Sequence, residues 1–187
     1  KGRIVETATG EFKDNKLQGK GELVKYGTDG KVLSKYAGNF VNGKPDGDGV
    51  LYEYDSNGNL VSKIEGNFFE GNPGGKVKIS NYDKNGKLTS TITGEYRNGK
   101  LYGDTSIIMY DENGKKRSEY SGEVENRKPH GKGTLVIFDQ NGKIVTKYTG
   151  GFKNGEADGD GKLVKYDNEG KVKSEYAGQF RNGKYDG

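Results

Sequence analysis

The sequence has no cysteine and no tryptophan, one methionine, one histidine and three prolines in 187 residues. Without cysteine there can be no disulfide, no thiolate metal ligand and no thiol nucleophile. Apolar residues are scarce as well: Leu, Ile, Val and Phe together number 36, a share that falls below that of ordinary globular domains. A compact α/β enzyme domain needs a thicker core than these residues can fill. Disorder through low hydrophobicity would also require a large net charge, yet 31 basic residues nearly balance 27 acidic ones. The shortage therefore calls for an ordered architecture that has no thick core.

Other absences narrow the field. No run approaches the length of a membrane-spanning helix, and nothing resembles a signal peptide. A net charge of +4, carried by 26 Lys and only 5 Arg, argues against a nucleic-acid partner, because bidentate phosphate recognition favours Arg. The chain opens at Lys1 rather than Met, as expected of a processed or excised piece. The compartment stays open, with a bacterial cell-surface or secreted location placed ahead of the cytoplasm.

What the chain has in excess is glycine, 33 residues in all, and it is periodic. Gly10, Gly38, Gly66, Gly94, Gly122, Gly150 and Gly178 recur every 28 residues without insertion or deletion. Two residues after each stands Phe12, Phe40, Phe68, Tyr96, Val124, Phe152 or Phe180. Further glycine columns run from Gly19 to Gly187 and from Gly30 to Gly170. The expected organisation is one continuous repeat domain over 1–187, with repeats at 10–37, 38–65, 66–93, 94–121, 122–149 and 150–177. Partial repeats fall at 1–9 and 178–187.

Each repeat reads as two strands and two turns. In the stretch 32–41, Val32, Tyr36 and Phe40 alternate on one face with Ser34 and Gly38 between them. Turn formers fill 42–47, a second strand runs over 49–54, and Asp55-Ser56-Asn57-Gly58 turns back. Frequent glycine is unfavourable in helices, so the fold is all-β: an elongated single-layer antiparallel β-meander solenoid of about 13 strands. The trial register pairs Phe40 with Gly49, Gly38 with Leu51, Tyr36 with Glu53 and, across a four-residue loop, Glu53 with Leu60. One face then collects the Phe, Leu and Tyr/Ile columns, with bare glycine backbone on which rings can lie flat. A one-residue slip at a bulge would exchange the faces.

The motif Tyr36-x-Gly38-x-Phe40-x-Asn42-Gly43-x-x-x-Gly47-x-Gly49-x-Leu51 resembles the MORN (membrane occupation and recognition nexus) repeat. It recurs from Tyr148 to Leu163, and the resemblance extends over essentially the whole chain as an extended, bacterial-like variant. Val77 and Thr105 depart from it by replacing the second glycine, and Val124 by replacing the ring. The resemblance implies a twisted antiparallel sheet that binds other proteins or self-associates, with no catalytic residues to carry over. Lipid headgroup binding has been proposed for the family.

No catalytic, cofactor or metal site is expected. His130, the only histidine, falls in a tolerant turn position and has no partner to orient it as a base. The Asp-x-Asn-Gly segments lack the length and closing Glu of a calcium loop and read as turns whose Asp accepts backbone N–H groups. Lys31, Lys87, Lys115, Lys143 and Lys171 share those turns with Asp55, Asp83, Asp111, Asp139 and Asp167, giving a charge-balanced rim. The expected interaction face is the ring column Tyr26, Tyr54, Tyr82, Tyr110, Phe138 and Tyr166, which suits a peptide, another sheet or a glycan.

The sequence thus points to a non-enzymatic module for protein–protein interaction or scaffolding. Alternatives are a structural spacer or stalk of a larger surface protein, and peripheral membrane-lipid or glycan binding. Exposed strand edges add end-to-end self-association as an expectation.

Overall fold

A computed structural model describes residues 5–186, so Gly187 of the second glycine column lies outside the described residues. Among the described residues fourteen strands and no helix form an antiparallel meander in which sheet order equals chain order. They are β1 (Glu6–Lys13), β2 (Lys16–Tyr26), β3 (Val32–Val41), β4 (Lys44–Tyr54), β5 (Leu60–Phe69), β6 (Asn72–Tyr82) and β7 (Leu88–Arg97). The second half holds β8 (Lys100–Tyr110), β9 (Lys116–Glu125), β10 (Lys128–Phe138), β11 (Ile144–Lys153), β12 (Glu156–Tyr166), β13 (Val172–Arg181) and β14 (Lys184–Tyr185). The two-residue β14 is the strand beyond the expected 13. Two compact units divide the chain: Lys1–Leu88 with Tyr96–Gly99, and Thr89–Glu95 with Lys100–Gly187.

Two kinds of turn shape each hairpin. At the β3–β4 tip, Asn42 and Gly43 both take positive φ (52° and 82°), the demand of a two-residue type I′ turn. Val41 pairs with Lys44 directly across it. The expected turn over 42–47 is therefore only two residues long, and the rest of that segment belongs to β4. At the β4–β5 connection Asp55 Oδ1 accepts the N–H groups of Asn57 and Asn59, both at 2.9 Å. The Asn59 backbone bond is the main cause that holds this carboxyl below its ordinary range. The Gly58 N–H returns to the Asp55 carbonyl at 3.0 Å. The Asp55 N–H also donates to the Asn59 carbonyl at 2.9 Å, which leaves three residues, 56–58, at the tip inside that bond rather than four.

The tight turns change the register. Phe40 pairs with Pro45, Gly38 with Gly49, Tyr36 with Leu51 and Ser34 with Glu53, not the trial pairs of Phe40 with Gly49, Gly38 with Leu51 and Tyr36 with Glu53. Between Phe40 and Gly38 the ladder shifts, because β4 carries Asp46, Gly47 and Asp48 opposite Asn39 alone. A second bulge leaves Val61 unpaired, so Tyr54 meets Leu60 and Glu53 meets Ser62, in place of Glu53 meeting Leu60. The same shift at Leu33 puts Val32 opposite Tyr26, away from the face of Tyr36 and Phe40 that it was expected to share.

The bulges also supply the reason for tyrosine. Tyr36 Oη donates to the Asn39 carbonyl at 3.1 Å, at the residue that faces three residues of β4 across the bulge. The equivalent Tyr148 and Tyr176 donate to Gly151 (2.8 Å) and Gln179 (3.1 Å), and Tyr120 donates to Glu123. The ring meanwhile lies on glycine. A Cβ on Gly38 would stand 2.7 Å from Tyr36 Oη, and one on Gly49 would overlap the ring. Edge-to-face contacts extend this packing from Tyr36 to Phe40 (5.1 Å) and Phe68 (4.9 Å), and from Tyr148 to Phe152 (5.0 Å) and Phe180 (4.9 Å).

Candidate functional site

The buried rings form the floor of a groove in each unit. In the first unit the groove has a volume of about 450 Å³, with Tyr36 and Phe68 below, Leu23, Leu51 and Pro45 beside them, and Leu33 and Val61 at the bulges. Lys25 and Glu53 supply its charged margin. In the second unit a groove of about 240 Å³ is built from Tyr148, Phe152 and Phe180 with Leu135, Leu163 and Ala157. Tyr36, Leu51, Phe68 and Leu23 each stand 112 residues before their counterparts Tyr148, Leu163, Phe180 and Leu135. The same hairpin geometry thus builds the same apolar floor twice.

Electrostatics keep the floor neutral. Burial, followed by the charges of Asp46 and Asp48, pushes the Tyr36 hydroxyl above its ordinary range. Burial with Asp158 and Asp160 does the same for Tyr148. Burial with Glu123 and Asp104 pushes Tyr120 up to about 12. These phenols remain hydrogen-bond donors to their own bulges.

The six rings chosen from the sequence stand elsewhere. Tyr26, Tyr54, Tyr82, Tyr110, Phe138 and Tyr166 are all half-buried at the last position of their strands. Cross-strand neighbours cover them: Val32 faces Tyr26, Leu60 faces Tyr54, Ile144 faces Phe138 and Val172 faces Tyr166. Thr7 Oγ1 lies 3.4 Å from Tyr26 Oη, and Thr91 Oγ1 lies 3.1 Å from Tyr110 Oη. Lys116 Nζ sits 5.6 Å over the Phe138 ring. Of the six, Tyr54 also borders the groove of the first unit.

Two polar columns prove more specific than turn chemistry suggests. His130 lies inside β10 rather than in a turn. Its Nδ1 accepts the Asn154 N–H at 3.4 Å, and its Nε2 is 3.2 Å from Glu125 Oε2. Gln18 and Asp46 play the same part, accepting the Asn42 N–H at 3.0 Å and the Glu70 N–H at 3.5 Å, so at 18, 46 and 130 this column ties one hairpin tip to the following one. At the opposite edge Lys31, Lys115 and Lys143 donate to the carbonyls of Ser56 (3.1 Å), Gln140 (3.2 Å) and Asn168 (2.9 Å). Sequence reading missed both ties. The signal was present, since polar acceptors recur at 18, 46, 130 and 158.

Acidic side chains gather over bare glycine in the second unit. Asp104, Asp158 and Asp160 border a shallow depression of about 510 Å³ floored by Gly122, Gly133 and Gly150. Among the described residues no group of three or more His, Asp or Glu side chains could hold a metal ion.

Comparison with known families agrees with this construction. The MORN repeat profile matches residues 9–26, 36–55, 120–142, 148–169 and 176–187, and a MORN repeat variant matches 47–67. Together these segments cover more than half of the sequence, and the chain belongs to the MORN repeat family. MORN repeats are generally non-catalytic modules associated with protein or membrane interaction. No curated protein matches the chain.

Proposed function

We propose that the chain is a non-enzymatic recognition module that seats segments of partner proteins in its ring-floored grooves. The observation that carries this reading is the duplicated floor, Tyr36, Leu51 and Phe68 in one unit and Tyr148, Leu163 and Phe180 in the other. Ladder stability alone does not call for half-exposed leucines beside buried rings. Apolar, concave surface with a few polar groups at the margin is the usual form of a ligand site. The row from Tyr26 to Tyr166 is a second, flatter surface, already covered in part by its neighbours.

Pull-down from the source organism separates the two surfaces. Leu51→Ser/Leu163→Ser is expected to lose the partner, while Tyr26→Ser/Tyr82→Ser/Tyr110→Ser, which spares the groove-bordering Tyr54, retains it. Loss through the tyrosine set alone would move the recognition surface to that row.

A further inference from the structure

Eight asparagines are followed directly by glycine, and they stand in two different settings. Asn57, Asn85, Asn113 and Asn141 occupy the third position of the Asp-x-Asn-Gly loops. In all four loops the glycine N–H returns to the carbonyl of the loop's own aspartate at 3.0 Å. The asparagine N–H goes to Oδ1 of that aspartate at 2.8 or 2.9 Å. Each of these bonds closes within a single exposed turn. Asn42, Asn154 and Asn182 stand instead at hairpin tips, where the glycine donates to the preceding hairpin. Gly43 donates to the Leu17 carbonyl at 2.8 Å, Gly155 to that of Pro129 at 2.9 Å and Gly183 to that of Ala157 at 2.9 Å. Gln18 Oε1 and His130 Nδ1 hold the N–H groups of Asn42 and Asn154 from the same side.

We propose that the loop residues Asn57, Asn85, Asn113 and Asn141 are sites of spontaneous deamidation, from which the preceding hairpin protects the tip residues Asn42, Asn154 and Asn182. Asparagine is one of the thermolabile residue types, and glycine has no side chain to shield the attacking nitrogen. In this reaction the glycine nitrogen bonds to asparagine Cγ. Its proton passes to the side-chain nitrogen, the Cγ–N bond breaks and ammonia leaves. The five-membered imide then takes up one water from solvent and reopens as aspartate or isoaspartate. The nitrogen can attack only after its N–H has let go of its carbonyl. In a loop that takes the opening of one turn, whereas at a tip it takes the parting of two hairpins, a larger local opening. The product fits the loops, because Asp29 and Glu169 already place a carboxylate at the same position. Around Glu169 the turn keeps its bonds, with the Glu169 N–H on Asp167 Oδ1 at 2.9 Å and the Gly170 N–H on the Asp167 carbonyl at 3.0 Å. Four conversions add four negative charges, which takes the net charge from +4 to 0 and turns the balanced loop rim acidic.

The test incubates the full chain in mildly alkaline bicarbonate buffer, folded and, in parallel, unfolded in guanidinium chloride, and maps its peptides by mass spectrometry. Dividing each site's folded rate by its unfolded rate removes the influence of neighbouring side chains. That ratio is expected to be about tenfold higher at the four loop sites than at the three tip sites, the weight of an additional hydrogen bond or two on a local opening. Native isoelectric focusing should show a ladder of four acidic steps over the same period. Gln18→Ala should raise the folded-state rate at Asn42 about fivefold and leave Asn154 alone, while His130→Ala should do the reverse. Equal ratios at loops and tips, or faster tips, overturn the proposal. If neither Gln18→Ala nor His130→Ala changes the rate at its own tip, the preceding hairpin protects nothing and the proposal falls as well.

Discussion

Within the first unit two neighbouring hairpins solve one packing problem in opposite ways. In β3–β4 the Tyr36 ring lies over Gly38 and Gly49, which have no side chains to obstruct it. In β5–β6 the place of Gly49 is taken by Val77 and the place of Tyr36 by Ile64, both fully buried. There the valine covers Gly66: a Cβ on that glycine would stand 3.1 Å from Val77 Cγ1. The second unit repeats both solutions, with Tyr120 against Gly133 and, in Ile92 and Thr105, a β-branched residue set over Gly94. Ring and glycine change together because one layer of side chains has a fixed volume. Residues 68–119, where Ile, Val and Thr replace much of the ring-and-glycine pattern, lie outside the segments matched by the family profiles.

The strongest way to break this comparison is to mix the two solutions. Gly49→Val should place a branched side chain inside the Tyr36 ring and cost about 3 kcal/mol, the upper end of ordinary overpacking. Tyr36→Ile/Gly49→Val should recover most of that loss, as residues in contact couple by up to about 3 kcal/mol. The measurement is a urea-melt double-mutant cycle. Additive costs would mean that ring and glycine are independent and that the comparison fails.

How much of this was legible beforehand follows from the same residues. The glycine columns and the period-2 alternation lead directly to an all-β meander with rings on glycine. The registers do not follow, because Pro45, Asp46 and Gly47 have turn chemistry yet sit in a strand. Their irregular backbone is a bulge opposite Asn39, and a bulge has no composition that distinguishes it from a turn. The groove was hidden for the same reason. Until Leu33 and Val61 are known to be the skipped residues, their side chains are assigned to the wrong face, and the Tyr26–Tyr166 row looks like the better surface.

A sharper test separates the two solutions by pH, because only one of them can titrate. A phenol whose folded pKa lies above its unfolded value near 10 contributes stability in full below pH 10. That contribution is lost as pH rises through the folded value, about 12 for Tyr120. Stability should therefore fall between about pH 10 and 12. Tyr36 and Tyr148, also shifted upward, add to the same limb. Tyr120→Phe should flatten the fall, at the neutral-pH cost of one hydrogen bond, about 1 kcal/mol. An alkaline limb of unchanged steepness in Tyr36→Phe/Tyr120→Phe/Tyr148→Phe would show that the buried rings do not control it.

The smallest effect concerns the aliphatic solution alone. Ser62, on β5 opposite Glu53 and Asn81, is 4% exposed, and its Oγ has no hydrogen-bond partner. Leaving a buried hydroxyl unpaired costs about 1 kcal/mol or more, and the hydroxyl has no bulge carbonyl to serve, unlike Tyr36 two residues beyond the corresponding Ser34. Removing it takes away a cost rather than a contact. Ser62→Ala should therefore raise stability by up to about 1 kcal/mol in urea, whereas Tyr36→Phe in the neighbouring hairpin should lower it. If both substitutions destabilise, Ser62 has a polar role, and the hairpins differ by more than the exchange of a ring for a branched chain.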